Sequence, residues 1–84
     1  MHNQIPVVEI YTKANCHLCR EAKRSLLKIK KLIDFKLREV NITSDPHLYE
    51  LYKERIPLIF INGKLAAKYR VDEGRFMKKL RSAV

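Results

Sequence analysis

The fold is decided by a stretch near the start of the chain, VVEIYTKANCHLC at residues 7–19. Residues 7–11 are mostly β-branched or apolar, which predicts a buried strand. A short loop over residues 12–15 follows, and a helix is expected to begin near Cys16. Cys16 and Cys19 then lie one helical turn apart at the start of that helix. In a chain with two cysteines, this spacing beside a strand–helix pattern indicates redox chemistry.

The first helix carries an apolar stripe at spacings of three and four residues. Its members are Leu18, Ala22, Leu26, Ile29 and Ile33. Lysines near the end of the helix complement the negative pole of its dipole. Residues 35–40 then alternate between apolar and polar side chains, which predicts a half-exposed strand at an edge of the sheet. Phe35, Leu37 and Glu39 are expected on one side of it.

The third quarter of the chain predicts a short helix and a hairpin. Asp45 is a helix cap with Pro46 in the first turn, and this helix is expected to run to about Glu54. Its inward residues are expected to be Leu48, Leu51 and Tyr52. Residues 56–61 are the most apolar stretch and predict a central strand, with Pro57 as its first residue because proline lacks the N–H of the ladder. Asn62-Gly63 predicts a hairpin turn, and residues 64–69 the returning strand.

Asp72 is expected to cap a last helix with Glu73 in its first turn, which suits the positive pole. The predicted buried face of this helix comprises Phe76, Met77, Leu80 and Val84. The order β-α-β-α-β-β-α places the first two strands parallel through a right-handed crossover and the last two antiparallel. We therefore predict an α/β fold in which helices flank both faces of a four-stranded mixed sheet.

Length and charge restrict the class of protein. The chain has 84 residues, which predicts one domain over residues 1–84. It has no apolar run near ~18 residues and no secretion-signal pattern at its start, so no membrane partner and a cytoplasmic location are expected. The net charge is +9, which attracts anions such as nucleic acid, acidic proteins or the carboxylates of a small thiol. The alternative is that this charge only solvates the helices.

The placement of the cysteines predicts their chemistry. The thiolate is the nucleophile, and the positive end of a helix stabilises it, so the pKa of the Cys16 thiol is expected to be lowered. Cys19 is expected to be less exposed and to attack a mixed disulfide formed on Cys16. Lys13 and His17 are candidates for tuning the thiolate, or else ordinary solvated residues. Tyr11 is interpreted as a strand residue that packs on the core.

Residues 11–19 resemble the active-site segment of glutaredoxins, in which Tyr-x-Lys-x-x-Cys-x-x-Cys ends the first strand and opens the first helix. Residues 55–57, Arg-Ile-Pro, match the position of the family's Val-Pro. The Asn62-Gly63 hairpin and the Asp72-Glu73 helix start match later landmarks, so the resemblance spans nearly the whole chain. The His17-Leu18 pair is most similar to the small glutaredoxin-like proteins with a Cys-His-Leu-Cys motif.

The resemblance implies a thioredoxin-type fold and a thiol–disulfide oxidoreductase that acts on protein or glutathione-mixed disulfides. It implies a cis Pro57 facing the cysteines and an Ile56 backbone that pairs with an incoming peptide or with glutathione. It also implies that Lys13 contacts a glutathione carboxylate and that Asp72 or Glu73 contacts its amino group. No cofactor is required, glutathione being a co-substrate. A peptide disulfide is the expected partner, and glutathione or a reductase is the expected electron donor. The net charge of +9, and not the resemblance, predicts a preference for acidic substrates.

Two departures and three rival functions stay open. Glutaredoxins carry Pro-Tyr between the cysteines and Gly-Gly before the last helix, whereas this chain has His17-Leu18 and Tyr69-Arg70-Val71-Asp72. The second difference leaves glutathione binding open, because side chains crowd that approach. The rivals are an iron–sulfur or metal-binding carrier using the same cysteines in a dimer, a nucleic-acid-binding module, and a non-redox interaction domain.

Overall fold

All seven predicted strands and helices form within residues 5–83, which the computed structural model describes. The strands are β1 (Val7–Thr12), β2 (Lys36–Asn41), β3 (Leu58–Ile61) and β4 (Lys64–Lys68). The helices are α1 (His17–Lys30), α2 (Pro46–Tyr52) and α3 (Glu73–Ser82), and a single 3₁₀ turn covers Ile42–Ser44. No helix in this part of the chain is long and apolar enough to cross a membrane.

The four strands form one mixed sheet in the order β2-β1-β3-β4. β1 and β2 are parallel because α1 connects them as a crossover, while β3 is antiparallel to both β1 and β4. The edge position predicted for β2 and the central position predicted for β3 are therefore confirmed. Tyr11 lies opposite Leu58 in the register, which places the end of β1 beside the start of β3.

The main core lies between one face of the sheet and the two helices α1 and α3. Its buried members are Val8, Ile10, Ala22, Leu26, Ile29, Phe35, Ile59, Ile61, Phe76 and Leu80. Tyr11 points to the other face because side chains alternate along a strand, and its ring meets Tyr52 of α2 edge-on at 5.3 Å. Helices therefore flank both faces of the sheet, and the predicted fold class is confirmed.

Two predicted apolar positions differ in the structure. α1 ends at Lys30, so Ile33 lies beyond the helix, although it still packs against the main core. Leu51 is 47% exposed, because the inward side of α2 is formed by Leu48, Tyr49 and Tyr52, and Leu51 falls off that stripe. Val84, the last predicted member of the α3 stripe, lies outside the described residues.

Three predicted boundaries also shift. β3 begins at Leu58 rather than at Pro57, because proline has no N–H for the ladder, and its carbonyl instead accepts the Tyr69 N–H at 2.8 Å. β4 ends at Lys68 rather than at Tyr69, whose φ of 67° takes the chain out of the extended conformation. α2 ends at Tyr52, two residues before the predicted Glu54.

Candidate functional site

Cys16 is the N-cap of α1, where the chain leaves the loop that follows β1. Its backbone is extended, and its Sγ accepts the backbone N–H of Cys19 at 3.1 Å. The same Sγ is joined to Cys19 in a disulfide, with the two Cα atoms 5.2 Å apart. A sulfur at an N-cap meets the free N–H groups and the positive pole of the helix. The predicted helix-start position of Cys16 is thus confirmed.

The two sulfurs differ in exposure. Cys19 is 3% exposed and belongs to a second, smaller core cluster with Ile42 and Ile56, whereas Cys16 is only half-buried at the border of this cluster. The partly buried residues packed around the cluster are Tyr11, Cys16, Leu48, Tyr49 and Tyr52. The lower exposure predicted for Cys19 is confirmed. A solute therefore reaches the disulfide from the side of Cys16.

The Ile56-Pro57 peptide bond is cis, as the resemblance implied. Pro57 is fully buried, and the side chain of Ile56 packs in the same cluster as Cys16 and Cys19. The structure thus brings Cys16, Cys19 and Ile56 together in one cluster, and Pro57 follows Ile56 in the chain. Within residues 5–83, neither the N–H nor the carbonyl of Ile56 is bonded to another backbone group.

The start of α1 has few charged neighbours of negative sign within residues 5–83. The first turn of this helix contains no acidic residue, and Lys13 lies half-buried in the loop just before Cys16. His17 is directed along the helix surface, where its Nε2 lies 2.7 Å from a carboxylate oxygen of Glu21, and its side chain is 73% exposed. Glu21 therefore offsets part of any charge on His17, whereas Lys13 forms no ion pair within residues 5–83.

The two carboxylates predicted to bind glutathione already have partners. Asp72 caps α3 by accepting the Arg75 N–H at 3.2 Å. Glu73 lies 3.5 Å from Lys28, which follows Cys16 by twelve residues and so lies about 18 Å along α1. The Glu73 side chain is therefore directed to the far part of α1 rather than to the cysteines.

A polar network next to the site was missed by the sequence analysis. The hydroxyl of Thr12, which is 3% exposed, donates to Glu39 at 2.8 Å, and Lys23 of α1 donates to the other Glu39 oxygen at 2.8 Å. The hydrogen bonds from Lys23 and then Thr12 hold the pKa of Glu39 below its ordinary value. The alternation of β1 could have predicted that Thr12 is buried, because it follows Val8 and Ile10 on the buried side of the strand, and a buried hydroxyl needs a hydrogen-bond partner.

Tyr11 lies on the other side of the strand and packs against the cysteine cluster. Its ring contacts Tyr52 at 5.3 Å and Phe60 at 5.1 Å between centroids. Burial, followed by the negative charge of Glu9, raises the pKa of Tyr11. The packing role predicted for Tyr11 is confirmed.

No cluster of three or more His, Cys, Asp and Glu side chains suited to a metal ion occurs within residues 5–83. Cys16 and Cys19 alone offer two sulfur ligands, and a structural zinc site uses four.

Residues 7–81 match the family model of the glutaredoxin-like domain (DUF836). The chain belongs to this family. A curated relative of this glutaredoxin-like protein is the uncharacterized protein Rv0508 of Mycobacterium tuberculosis, which is 25% identical over 75 residues, 83% of this chain and 77% of the relative.

Solved structures show the same fold. Protein Ne2328 of Nitrosomonas europaea is 31% identical, with a TM-score of 0.77 over 94% of this chain and 98% of that one. Protein XcR50 of X. campestris is 24% identical, with a TM-score of 0.76 over 92% and 99% of the two chains. Chloroplastic thioredoxin z, 15% identical, superposes with a TM-score of 0.74 over 94% of this chain and 78% of its own. Family, fold and the Cys16–Cys19 disulfide together indicate a redox function.

Proposed function

We propose that this glutaredoxin-like protein is a thiol–disulfide oxidoreductase in which Cys16 is the nucleophile and Cys19 the resolving thiol. The observation that carries the proposal is the pair of sulfurs at the start of α1. One is half-buried and caps the helix, while the other is 3% exposed and within bonding reach of the first. The helix pole and the Cys19 N–H favour the thiolate form of Cys16, so its pKa is expected below that of a free thiol.

The reaction begins with both cysteines reduced. The Cys16 thiolate attacks one sulfur of a substrate disulfide, forming a mixed disulfide and releasing the second substrate sulfur as a thiolate, which takes up a proton. Cys19 then loses its proton and attacks the Cys16 sulfur. The Cys16–Cys19 disulfide forms, and the first substrate sulfur leaves as a thiol. Two electrons have passed from the protein to the substrate.

The substrate class that fits best is a peptide or protein disulfide. The free backbone groups of Ile56 lie beside the cysteine cluster, and an extended peptide is able to pair with such groups as an added strand. A mixed disulfide of glutathione is a second substrate of the same chemistry. Two thiols of glutathione or a dithiol of a reductase would return the electrons to the Cys16–Cys19 disulfide.

Two of the charged residues that the resemblance implied for glutathione have partners within the protein. Lys13 lies in the loop three residues before Cys16, so it is the residue we propose for a glutathione carboxylate. Asp72 caps α3 and Glu73 pairs with Lys28, so an amino group would share either carboxylate with a partner inside the protein. We therefore propose that peptide disulfides react faster than glutathione disulfides, which parallel rate measurements on the two substrates will test.

Cysteine variants test the assignment of roles. With a peptide that contains one disulfide, Cys16→Ser is expected to show neither reduction nor a mixed disulfide. Cys19→Ser is expected to trap the peptide on Cys16, which mass spectrometry measures as one added peptide per chain. Turnover by Cys16→Ser at the wild-type rate would refute the nucleophile assignment.

Alkylation provides an independent test on the reduced wild-type protein. Iodoacetamide at neutral pH is expected to modify Cys16 first, because it is the more exposed sulfur and its thiolate is stabilised by the helix. Peptide mapping after short exposures gives the order, and a pH series gives the midpoint. Modification of Cys19 first, or a midpoint equal to that of a free cysteine, would overturn the proposal.

A further inference from the structure

A basic trough lies between β4 and α3. It consists of a hollow of about 580 Å³ and a second of about 210 Å³, and the two share Ala66, Arg75 and Lys79 in their linings. Because of the shared residues we treat them as one feature, the β4–α3 trough. The cations in its lining are Lys64, Lys68, Arg70, Arg75, Lys78 and Lys79.

The positive charge of the trough is not neutralised within the described chain. None of its six cations pairs with a carboxylate of residues 5–83. The acidic residue in the lining, Asp72, caps α3 with one carboxylate oxygen, so its single negative charge stands against six positive ones. Lys79 donates to the Ala66 carbonyl at 2.8 Å and is thereby held over the trough. Like charges gathered in a concave surface raise the local concentration of anions.

The floor of the trough is apolar. Ile61, Leu65 and Ala66 contribute to its lining, and Leu65 is 49% exposed. Phe76, the aromatic residue in the lining, is buried, so it presents no ring on which a nucleic-acid base would stack. An occupant that combines carboxylates with an apolar side chain fits this surface better than a phosphate backbone does.

The trough leads toward the cysteine end of the sheet. Lys64 lies opposite Ile61, whereas Lys68 lies opposite Leu58, the neighbour of Tyr11 at the end of β1. The next residue of the chain, Tyr69, donates its N–H to the Pro57 carbonyl. β4 has five residues, so the trough spans about 16 Å at the rise of a strand. An extended segment of about five residues covers this length.

We propose that the β4–α3 trough binds an extended acidic segment of the protein whose disulfide reacts at Cys16. The identity of the partner rests on the proposed function, because the partner is taken to be the disulfide substrate. The location of the site rests on the complementarity between an acidic segment and the cations of the trough. A second copy of the chain is a poor occupant, because its net charge of +9 repels the trough. Pairing along the β4 edge is disfavoured by the register shift opposite Ile59 and Phe60 and by the lysines of the strand.

Binding is measured first without any thiol chemistry. The probe is a labelled, cysteine-free peptide of alternating glutamate and leucine, and the control peptide has glutamine in place of glutamate. Fluorescence anisotropy with the oxidised full chain is expected to show binding of the acidic peptide only. Lys64→Glu combined with Lys78→Glu is expected to weaken it about tenfold.

A matched variant distinguishes the effect of charges in the trough from the effect of the net charge of the whole protein on peptide binding. Lys31→Glu combined with Lys36→Glu changes the net charge equally at exposed residues outside the trough. It is expected to weaken binding less than about twofold at physiological salt, where charges beyond about 8 Å are screened. Circular dichroism checks that both double variants fold. Equal weakening by the two, or equal binding of the two peptides, would overturn the inference.

Two further outcomes decide the nature of the partner. Binding of a single-stranded oligonucleotide is measured in the same way. A peptide occupant would be refuted if the oligonucleotide binds more tightly than the acidic peptide and if the Lys64→Glu/Lys78→Glu variant loses that binding. The rate of disulfide reduction is then measured with two peptides, one with acidic and one with neutral residues flanking the disulfide. The Lys64→Glu/Lys78→Glu variant is expected to reduce the acidic peptide about tenfold more slowly than the wild type does, and the neutral peptide at the wild-type rate. If neither the wild type nor the variants reduce any of the disulfide peptides while the wild type still binds the acidic peptide, the proposed function is wrong. The inference that the trough binds acidic peptides would then remain supported.

Discussion

Replacing Glu39 by glutamine is expected to destabilise the protein at neutral pH and to have little effect in acid. The carboxylate of Glu39 connects three elements, since it accepts from Thr12 at the end of β1 and from Lys23 on α1. Glutamine keeps the shape and one oxygen acceptor but removes the charge. The substitution therefore tests the electrostatic part of the network next to the loop that carries Cys16.

The magnitude follows from the exposure of the partners. The side chains of Lys23 and Glu39 are 39% and 44% exposed, so their ion pair belongs to the surface class, about 0.2–1 kcal/mol. The Thr12 hydroxyl is buried, and a hydrogen bond from it to a charged acceptor is stronger than one to a neutral amide. Together these give a loss of about 1 kcal/mol in the free energy of unfolding for Glu39→Gln at pH 7.

The dependence on pH has a definite sign. The pKa of Glu39 in the folded protein lies below its ordinary value of 4.5, so the unfolded chain takes up the proton first as the pH falls. The stabilisation by Glu39 is therefore complete above 4.5 and is lost as the pH falls through the folded-state pKa. The difference between wild type and Glu39→Gln should disappear over the same range.

Urea unfolding of the disulfide-bonded protein at neutral and acid pH measures this difference. A loss of about 1 kcal/mol moves the midpoint by about 1 M for a domain of this size. Glu50→Gln is the matched control, because Glu50 also pairs with a lysine, Lys53, but its side chain is 71% exposed. The reasoning is refuted if the two substitutions shift the midpoint equally, or if the Glu39→Gln loss persists in acid.

Leu80→Ala is expected to lower stability by about 3 kcal/mol in chemical denaturation, because Leu80 is 0% exposed, whereas Leu32→Ala, at 74% exposure, should change it by less than about 0.5 kcal/mol. Similar losses would contradict the assigned core. Asp72→Ala is expected to cost about 1 kcal/mol in thermal unfolding through loss of the α3 cap, and Asp72→Asn much less; equal losses would argue against the cap. Because the pKa of Tyr11 is raised in the folded protein, its phenol ionises first in the unfolded chain as the pH rises past the ordinary value of 10.0. The free energy of unfolding of the wild type therefore falls above this pH. Tyr11→Phe should lose less in urea unfolding at high pH, and an unchanged loss would refute this.

The elements and their order were predictable because their signals are local. The Asp45-Pro46 and Asp72-Glu73 helix starts and the Asn62-Gly63 turn each depend on a few adjacent residues, and all three form as predicted. The exposed Leu51 shows the limit of such patterns. In a helix of seven residues several stripes are equally plausible from spacing, and only the packing of Tyr49 and Tyr52 against the cysteine cluster selects one.

The polar network and the trough were not predictable, because each depends on how separate elements pack. Thr12 and Glu39 are 27 residues apart and meet only through the parallel register of β1 and β2. Lys64 and Lys78 line one hollow only because α3 packs beside β4. The pair of cysteines, in contrast, is made by one loop and one helical turn, so the sequence sufficed to place it.

The starts of α1 and α3 differ in how well their capping residues stabilise the helix. α3 begins with an aspartate cap and a glutamate in its first turn, which neutralise its positive pole. α1 has a cysteine as its cap and no acidic residue in its first turn, although aspartate or serine would cap it better. Under the proposed function, the Cys16 thiolate of the reduced protein would gain at this pole the stabilisation that the Asp72 carboxylate has at the start of α3. Of the three helices, α2 and α3 have an aspartate cap and α1 has a cysteine, and this departure from good capping is what points to the start of α1 as the proposed site.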